Sequence, residues 1–306
     1  VSLTHAEPPP TESVQVPGQP LRVHAVWLEW DDYLLWATGK LQRTTPEWWG
    51  RPVKLPPPWA PGMHWALIGP TGEGKTTHSV GVLGQRKYVL ALDPKGEDTT
   101  LAASGFRRVT GLPPKHKFPK DIQKDLDDGK AVRLIVGGSA RTDEEDAKLQ
   151  QLMREAITYA RHAGHWALYV DEFELLSSQR MYKLGPLIER MLITARKDET
   201  SVVTSFQAAA WVSKHATRQA TLCTLWPTRD RDMLKAVAQS MGRDWKAVAN
   251  AVDLLPPFHT LTIPKQIRAP MIMTTAPKVG GGGQVRGQQP STGQRGQQQQ
   301  QGQRQG

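Results

Sequence analysis

The sequence predicts an α/β domain with a mainly parallel sheet flanked by helices. Three observations predict it. Short apolar runs recur along the middle of the chain. Amphipathic helical patterns lie between those runs. A glycine-rich loop joins the first run to the first helix.

The runs come in order as HWALIG (64–69), KYVLAL (87–92), VRLIV (132–136), HWALYV (165–170), SVVTSF (201–206) and TLCTLW (221–226). Each is short and apolar almost throughout, as a strand buried on both faces must be. Between them, Leu149, Leu152, Met153, Ala156, Ile157 and Ala160 step by threes and ones. So do Leu187, Ile188, Met191, Leu192 and Ala195, and again Met233, Leu234, Val237, Ala238 and Met241. That spacing puts one apolar stripe on each helix, suited to packing on a sheet.

The flanks read differently. Residues 1–20 are a Pro-rich, disordered leader. Residues 21–62 form a Trp-rich segment and a Pro-rich linker. Trp27, Trp30, Trp36, Trp48 and Trp49 are five of the 11 tryptophans. This segment is either a small subdomain or a strand and helix added to the main sheet, and its rings serve packing or a partner. The catalytic domain is expected over 63–277. Residues 278–306 are a Gln/Gly/Arg-rich tail with too little apolar surface to order itself.

Composition narrows the function classes. The 306 residues carry 39 Lys+Arg against 29 Asp+Glu, a net charge of +10. The tail holds Lys278, Arg286, Arg295 and Arg304 and no acid, which leaves +6 of the +10 for the rest. A basic balance suits a nucleic-acid partner without proving one. The single cysteine, Cys223, excludes a disulfide framework and a thiolate metal cluster. The sequence has no run of 18 apolar residues, so no transmembrane span is expected, and the N-terminus lacks a secretory-signal pattern. A cytoplasmic location is expected.

Gly69-Pro70-Thr71-Gly72-Glu73-Gly74-Lys75-Thr76 fits G-x-x-x-x-G-K-[ST] without a mismatch, after a strand and before a helix. Glycines let the backbone curl so that its N–H groups face phosphate oxygens, and the helix N-terminus adds positive potential. Residues 69–77, ending at Thr77, are therefore the predicted nucleotide site. Lys75 reaches the β- and γ-phosphates, and Thr76 offers its hydroxyl to Mg²⁺. The run Trp166–Val170 ends in Asp171 and Glu172. Asp171 is the second predicted metal ligand. Glu172 is the predicted general base, which points to ATP hydrolysis.

Two further positions are candidates. Gln207 ends the run 201–206, where a glutamine can bond both the γ-phosphate and the attacking water; otherwise it caps the following helix. Arg196 follows the helical stripe 187–195 and could act in trans as an arginine finger, with Arg190 as its rival; an exposed salt bridge is the plain alternative. Asp93 and Lys95 lie at the end of the second run. They either line the nucleotide site or form a polar turn. Lys115–Lys120 is a basic stretch, either DNA-facing or merely solvated.

Other classes are excluded. Asn250 is the chain's only asparagine and Ala251 follows it, so there is no Asn-Lys-x-Asp base reader of a small GTPase. Leu176-Ser177-Ser178-Gln179 falls after the acidic strand, on the wrong side for a transporter-type signature. Neither H-E-x-x-H nor a Cys/His cluster supports zinc.

The ordered set Gly69–Thr76, Leu92-Asp93-Pro94-Lys95-Gly96-Glu97, Val170-Asp171-Glu172-Phe173, Ala195-Arg196-Lys197 and Thr204-Ser205-Phe206-Gln207 resembles the FtsK–HerA superfamily over roughly 63–275. The resemblance implies a RecA-like P-loop core that assembles as a ring, usually a hexamer, around double-stranded DNA. It implies ATP and Mg²⁺ as ligands and catalytic roles for Lys75, Glu172, Gln207 and Arg196. The implied function is an ATP-driven DNA translocase in DNA transfer, conjugation or packaging. A membrane-bound, secretion or packaging protein is a further implied partner. The other reading is a protein-transport or assembly ATPase that never grips DNA. Two departures from the family are visible: no membrane helices precede the core, and the larger helical insertion is missing.

Overall fold

The computed structural model describes residues 25–27, 59–96, 98–178, 181–207, 214–253, 255, 259–265 and 272–275. Ten strands form one sheet. They are β1 (Ala25–Trp27), β2 (Trp65–Ile68), β3 (Tyr88–Asp93), β4 (Arg107–Arg108), β5 (Val132–Gly137), β6 (Trp166–Val170), β7 (Ser201–Phe206), β8 (Leu222–Leu225), β9 (His259–Pro264) and β10 (Ile272–Thr275). Their order across the sheet is β1-β10-β9-β8-β2-β7-β6-β3-β5-β4. From β8 to β4 every pairing is parallel, with β2 between β8 and β7. β9, β10 and β1 continue the other edge antiparallel.

The six apolar runs are all strands, and alternate residues divide between two cores. Ala66, Ile68, Leu90, Leu92, Leu168 and Val170 face one side. Trp65, Leu67, Val89, Ala91, Ala167 and Tyr169 face the other. A sheet covered on both faces has no solvent side, which is why these strands show no polar alternation.

The first side is covered by the predicted stripes, now helices α4 (Asp143–Ala163), α6 (Gly185–Thr194) and α8 (Arg231–Ser240), and by α9 (Trp245–Asp253). Met153, Ala156, Ile157 and Ala160 of α4 are buried, as are Ile188, Met191 and Leu192 of α6. α4 starts with a capping box: Thr142 Oγ1 accepts from Glu145 N–H, and Glu145 accepts from Thr142 N–H. Such a cap contributes about 1 kcal/mol. Four acids in its first turn and Arg161 and His162 in its last match the helix dipole.

The second side carries α1 (Lys75–Leu83) and α2 (Thr99–Ala103). The remaining helices are α3 (Lys120–Asp127), α5 (Phe173–Ser177) and α7 (Lys214–Gln219), with a 3₁₀ turn at Ala195–Asp198.

Within the Trp-rich segment only β1 is described, and it does add a strand to the main sheet. The rest of that segment, the leader 1–20 and the tail 278–306 lie outside the described residues, as does Glu97. No described helix is long and apolar enough to cross a membrane.

Candidate nucleotide site

The site sits at the C-terminal ends of β2, β6 and β7, where β2's neighbours β7 and β8 lie on either side of it. Crevices of this kind receive ligands in open parallel sheets. The loop after β2 is fixed at its base, where Gly69 N–H donates to Phe206 O at 3.1 Å. Gly72 (φ 86°) and Gly74 (φ 84°) take the left-handed conformation the curl requires. α1 begins at Lys75 with no side chain capping it and no acid in its first turn, the reverse of α4. That leaves its N-terminus suited to an anion.

Lys75 is buried, and its ammonium donates to the carbonyls of Gly69 and Pro70, both at 2.7 Å. Burial lowers its pKa, against the pull of Asp171, Glu174, Glu172 and Glu73. Thr76 and Thr77 follow in the first turn of α1, half-buried.

Asp171 and Glu172 leave β6 beside the loop. Burial pushes the Asp171 carboxyl up to about 6, with the charges of Glu172, Asp98 and Asp93 acting the same way. Tyr169, two residues back on the same strand, donates to Asp171 Oδ1 at 2.9 Å. Glu172 sits at φ 48°, an uncommon conformation for a non-glycine residue, at the start of α5. Gln207 closes the site: its amide donates to Glu172 Oε1, and its own Oε1 accepts from Thr71 Oγ1 at 2.8 Å. Its backbone N–H is held by Glu174 Oε1 at 2.6 Å. Glu174 is a residue that the sequence reading missed.

The donors available for Mg²⁺ are the Thr76 hydroxyl and the Asp171 carboxylate, both hard oxygens that fit this ion. No group of three or more His, Cys, Asp or Glu among the described residues could hold a metal. Two such oxygens suit an ion that takes its remaining ligands from phosphate and water, as Mg²⁺ does with nucleotides.

Asp93 and Lys95 part company. The Asp93 carboxylate is buried and organises its own turn, accepting from Gly96 N–H at 2.9 Å and pairing with Arg108 at 3.3 Å. The Lys95 ammonium instead reaches the site and pairs with Glu172 Oε1.

Arg196 lies elsewhere. It is exposed in the turn preceding β7, while the phosphate loop follows β2, and the two strands are parallel with Trp65 opposite Val203. Arg196 is therefore at the opposite end of these parallel strands, beside Gly62, about 20 Å away for a six-residue strand. Arg190 is exposed on α6. In the basic stretch, Lys115 pairs with Glu155 at 2.6 Å and Phe118 is buried, while Lys117 and Lys120 are exposed.

Several solved structures are similar to this chain. VirB4 of Thermoanaerobacter pseudethanolicus aligns over 72% of this chain and 93% of its own, at 12% identity and a TM-score of 0.51. The genome packaging NTPase B204 of Sulfolobus turreted icosahedral virus 2, in complex with AMPPCP, aligns over 70% and 98%, at 19% identity and 0.48. The pCW3 conjugation coupling protein TcpA aligns over 89% and 89%, at 12% identity and 0.42. No protein-family model matches the chain, and no curated protein matches it. The fold is that of a P-loop NTPase. It is the fold expected from the resemblance to the FtsK–HerA superfamily.

Proposed function

We propose that this chain hydrolyses ATP as a P-loop motor of the FtsK–HerA type. The observation that carries the reading is the hydrogen-bonded path Thr71–Gln207–Glu172. It joins the phosphate loop to the carboxylate at the end of β6. In this reading Gly69–Thr77 cradle the nucleotide phosphates, and Lys75 leaves the Gly69 and Pro70 carbonyls to bind the β- and γ-phosphates. Thr76 and Asp171 would hold Mg²⁺, which supplies charge neutralisation for the phosphates. Glu172 accepts a proton from water as the water oxygen bonds to the γ-phosphorus. The bond from that phosphorus to the β–γ bridging oxygen breaks, and its electron pair leaves with ADP. Gln207 positions the water and reports the terminal phosphate to the sheet.

The finer reading is a ring of copies acting on double-stranded DNA. It is supported by the motif set, the net charge of +10 and the position of Arg196. An arginine at the end of the strands away from its own nucleotide is placed for a neighbouring copy's site, as an arginine finger in trans requires.

The test is steady-state ATP hydrolysis at low salt with and without linear double-stranded DNA, alongside the mass in solution with ATP. Strong stimulation by DNA and a ring-sized assembly are expected. Hydrolysis indifferent to DNA would leave the ATPase standing and point to a protein cargo.

A further inference from the structure

We infer that Lys95 is a latch on the catalytic carboxylate: it occupies Glu172 Oε1, and so closes that oxygen to water, until the terminal phosphate of a bound nucleotide draws the ammonium off. The inference rests on the ATPase reading above and deepens it.

Two donors meet on one oxygen. Glu172 Oε1 accepts from Lys95 Nζ and from the Gln207 amide. A carboxylate oxygen has two in-plane lone pairs, and these two contacts occupy both. A general base must offer such a lone pair to its water. Glu172 in this arrangement cannot do so through Oε1, and its side chain is only 14% exposed.

The two donors are not equally free to leave. Gln207 is held at both ends of the residue, its side-chain oxygen by Thr71 and its backbone N–H by Glu174. Lys95 projects from the turn after β3 on a flexible stem, and its side chain is 59% exposed. The turn itself is rigid: Asp93 accepts from Gly96 N–H, and the Pro94 carbonyl accepts from Tyr182 OH at 3.0 Å. The anchor is fixed and the tip is mobile. A triphosphate seated on the loop places several negative oxygens beside one carboxylate, and the ammonium moves to the stronger field. In the loaded site the ammonium divides between Glu172 and the phosphate, and Glu172 Oε1 is open to water only for the share spent on phosphate.

Lys95 is thus a positioning residue, acting through Glu172, and its effect belongs in kcat rather than KM. An exposed ion pair shifts such an equilibrium by no more than about fivefold.

The experiment measures kcat and KM for ATP, without nucleic acid, in the native chain, Lys95→Met and Lys95→Arg. Exposure of the side chain keeps folding intact, and thermal melts verify it. Lys95→Met is expected to raise kcat about three- to fivefold, with KM within twofold of native. Lys95→Arg, which restores the ion pair, is expected to return kcat to the native value. If kcat of Lys95→Met equals or falls below native while the native chain turns over ATP, the latch is wrong and the ATPase reading survives. If Lys95→Arg behaves like Lys95→Met, the ion pair is not the cause and the latch is again wrong. If native and variants all bind ATP and none hydrolyses it, both readings fall together.

Discussion

The indole Nε1 of Trp226 donates to the carbonyl of Glu73 at 2.7 Å, which ties the phosphate loop to the strand beside it. Trp226 stands at the end of β8, and its N–H bonds Ile68 O. Its ring also sets the residue at 69: a Cβ there would lie 2.5 Å from Trp226 Cβ, so only glycine fits. His78 of α1 stacks edge-on against the same indole, with centroids 5.3 Å apart, and against Trp65 at 6.2 Å. The loop therefore rests on an aromatic wall made by β2, α1 and β8.

Trp226→Phe keeps most of that wall and removes the N–H. It should raise KM for ATP by severalfold with a stability loss of about 1 kcal/mol, the scale of one hydrogen bond. Trp226→Ala opens a cavity under the loop and should cost about 3–5 kcal/mol. Denaturant titrations and ATP kinetics on both variants check this.

The two buried histidines of β2's flank and α1 make stability depend on pH. Burial, with the nearby Arg196 charge, lowers His64 to about 4, and burial lowers His78 to about 4, against an ordinary 6.5. The unfolded chain takes up these protons first as pH falls. Stability is therefore full above pH 6.5 and is lost as pH falls towards 4, by roughly 3 kcal/mol per histidine. Asp171, raised to about 6, works in the opposite direction. The comparison is accordingly between native and His78→Phe: the variant should lose less stability between pH 7 and 4.5 in urea unfolding. Equal losses would remove His78 from the account.

Arg196→Ala should leave the melting temperature unchanged, since the side chain is exposed. ATP turnover should fall by as much as about three to five orders of magnitude if the residue acts in trans. Mixing Arg196→Ala with Glu172→Gln should restore turnover, because each copy supplies what its neighbour lacks. Failure of the mixture to recover would assign Arg196 to the surface and return Arg190 to consideration.

Much of this arrangement can be read from residues alone, and the parts that cannot have physical causes. Strands such as WALI and VLAL declare themselves because both faces are buried and every position is apolar. β4 is two arginines, paired at the sheet edge with β5, and carries no apolar signal. β9, His259–Pro264, mixes threonine with leucine and isoleucine, and its buried Thr262 bonds Thr224 across the antiparallel pair at 2.8 Å. That polar satisfaction makes it look like a loop in sequence. In the site, the phosphate loop and the Asp171–Glu172 pair follow from local spacing. Lys95 on Glu172 spans 77 residues, Glu174 on the Gln207 N–H spans 33, and Trp226 under the loop spans 153. No local pattern encodes contacts of that range. Only the sheet order, which sets β7 and β8 on either side of β2 and β6 next to β3, creates them.

The central claim is that Glu172 is the base of an ATP-hydrolysing site built on Lys75. The most direct measurement is single-turnover hydrolysis of radiolabelled ATP with Mg²⁺ by native, Lys75→Ala and Glu172→Gln chains, with ATP binding measured in parallel. The account predicts that native hydrolyses, that Lys75→Ala neither binds nor hydrolyses, and that Glu172→Gln binds ATP with turnover reduced by about two to four orders of magnitude. Native-like hydrolysis by Glu172→Gln would contradict it.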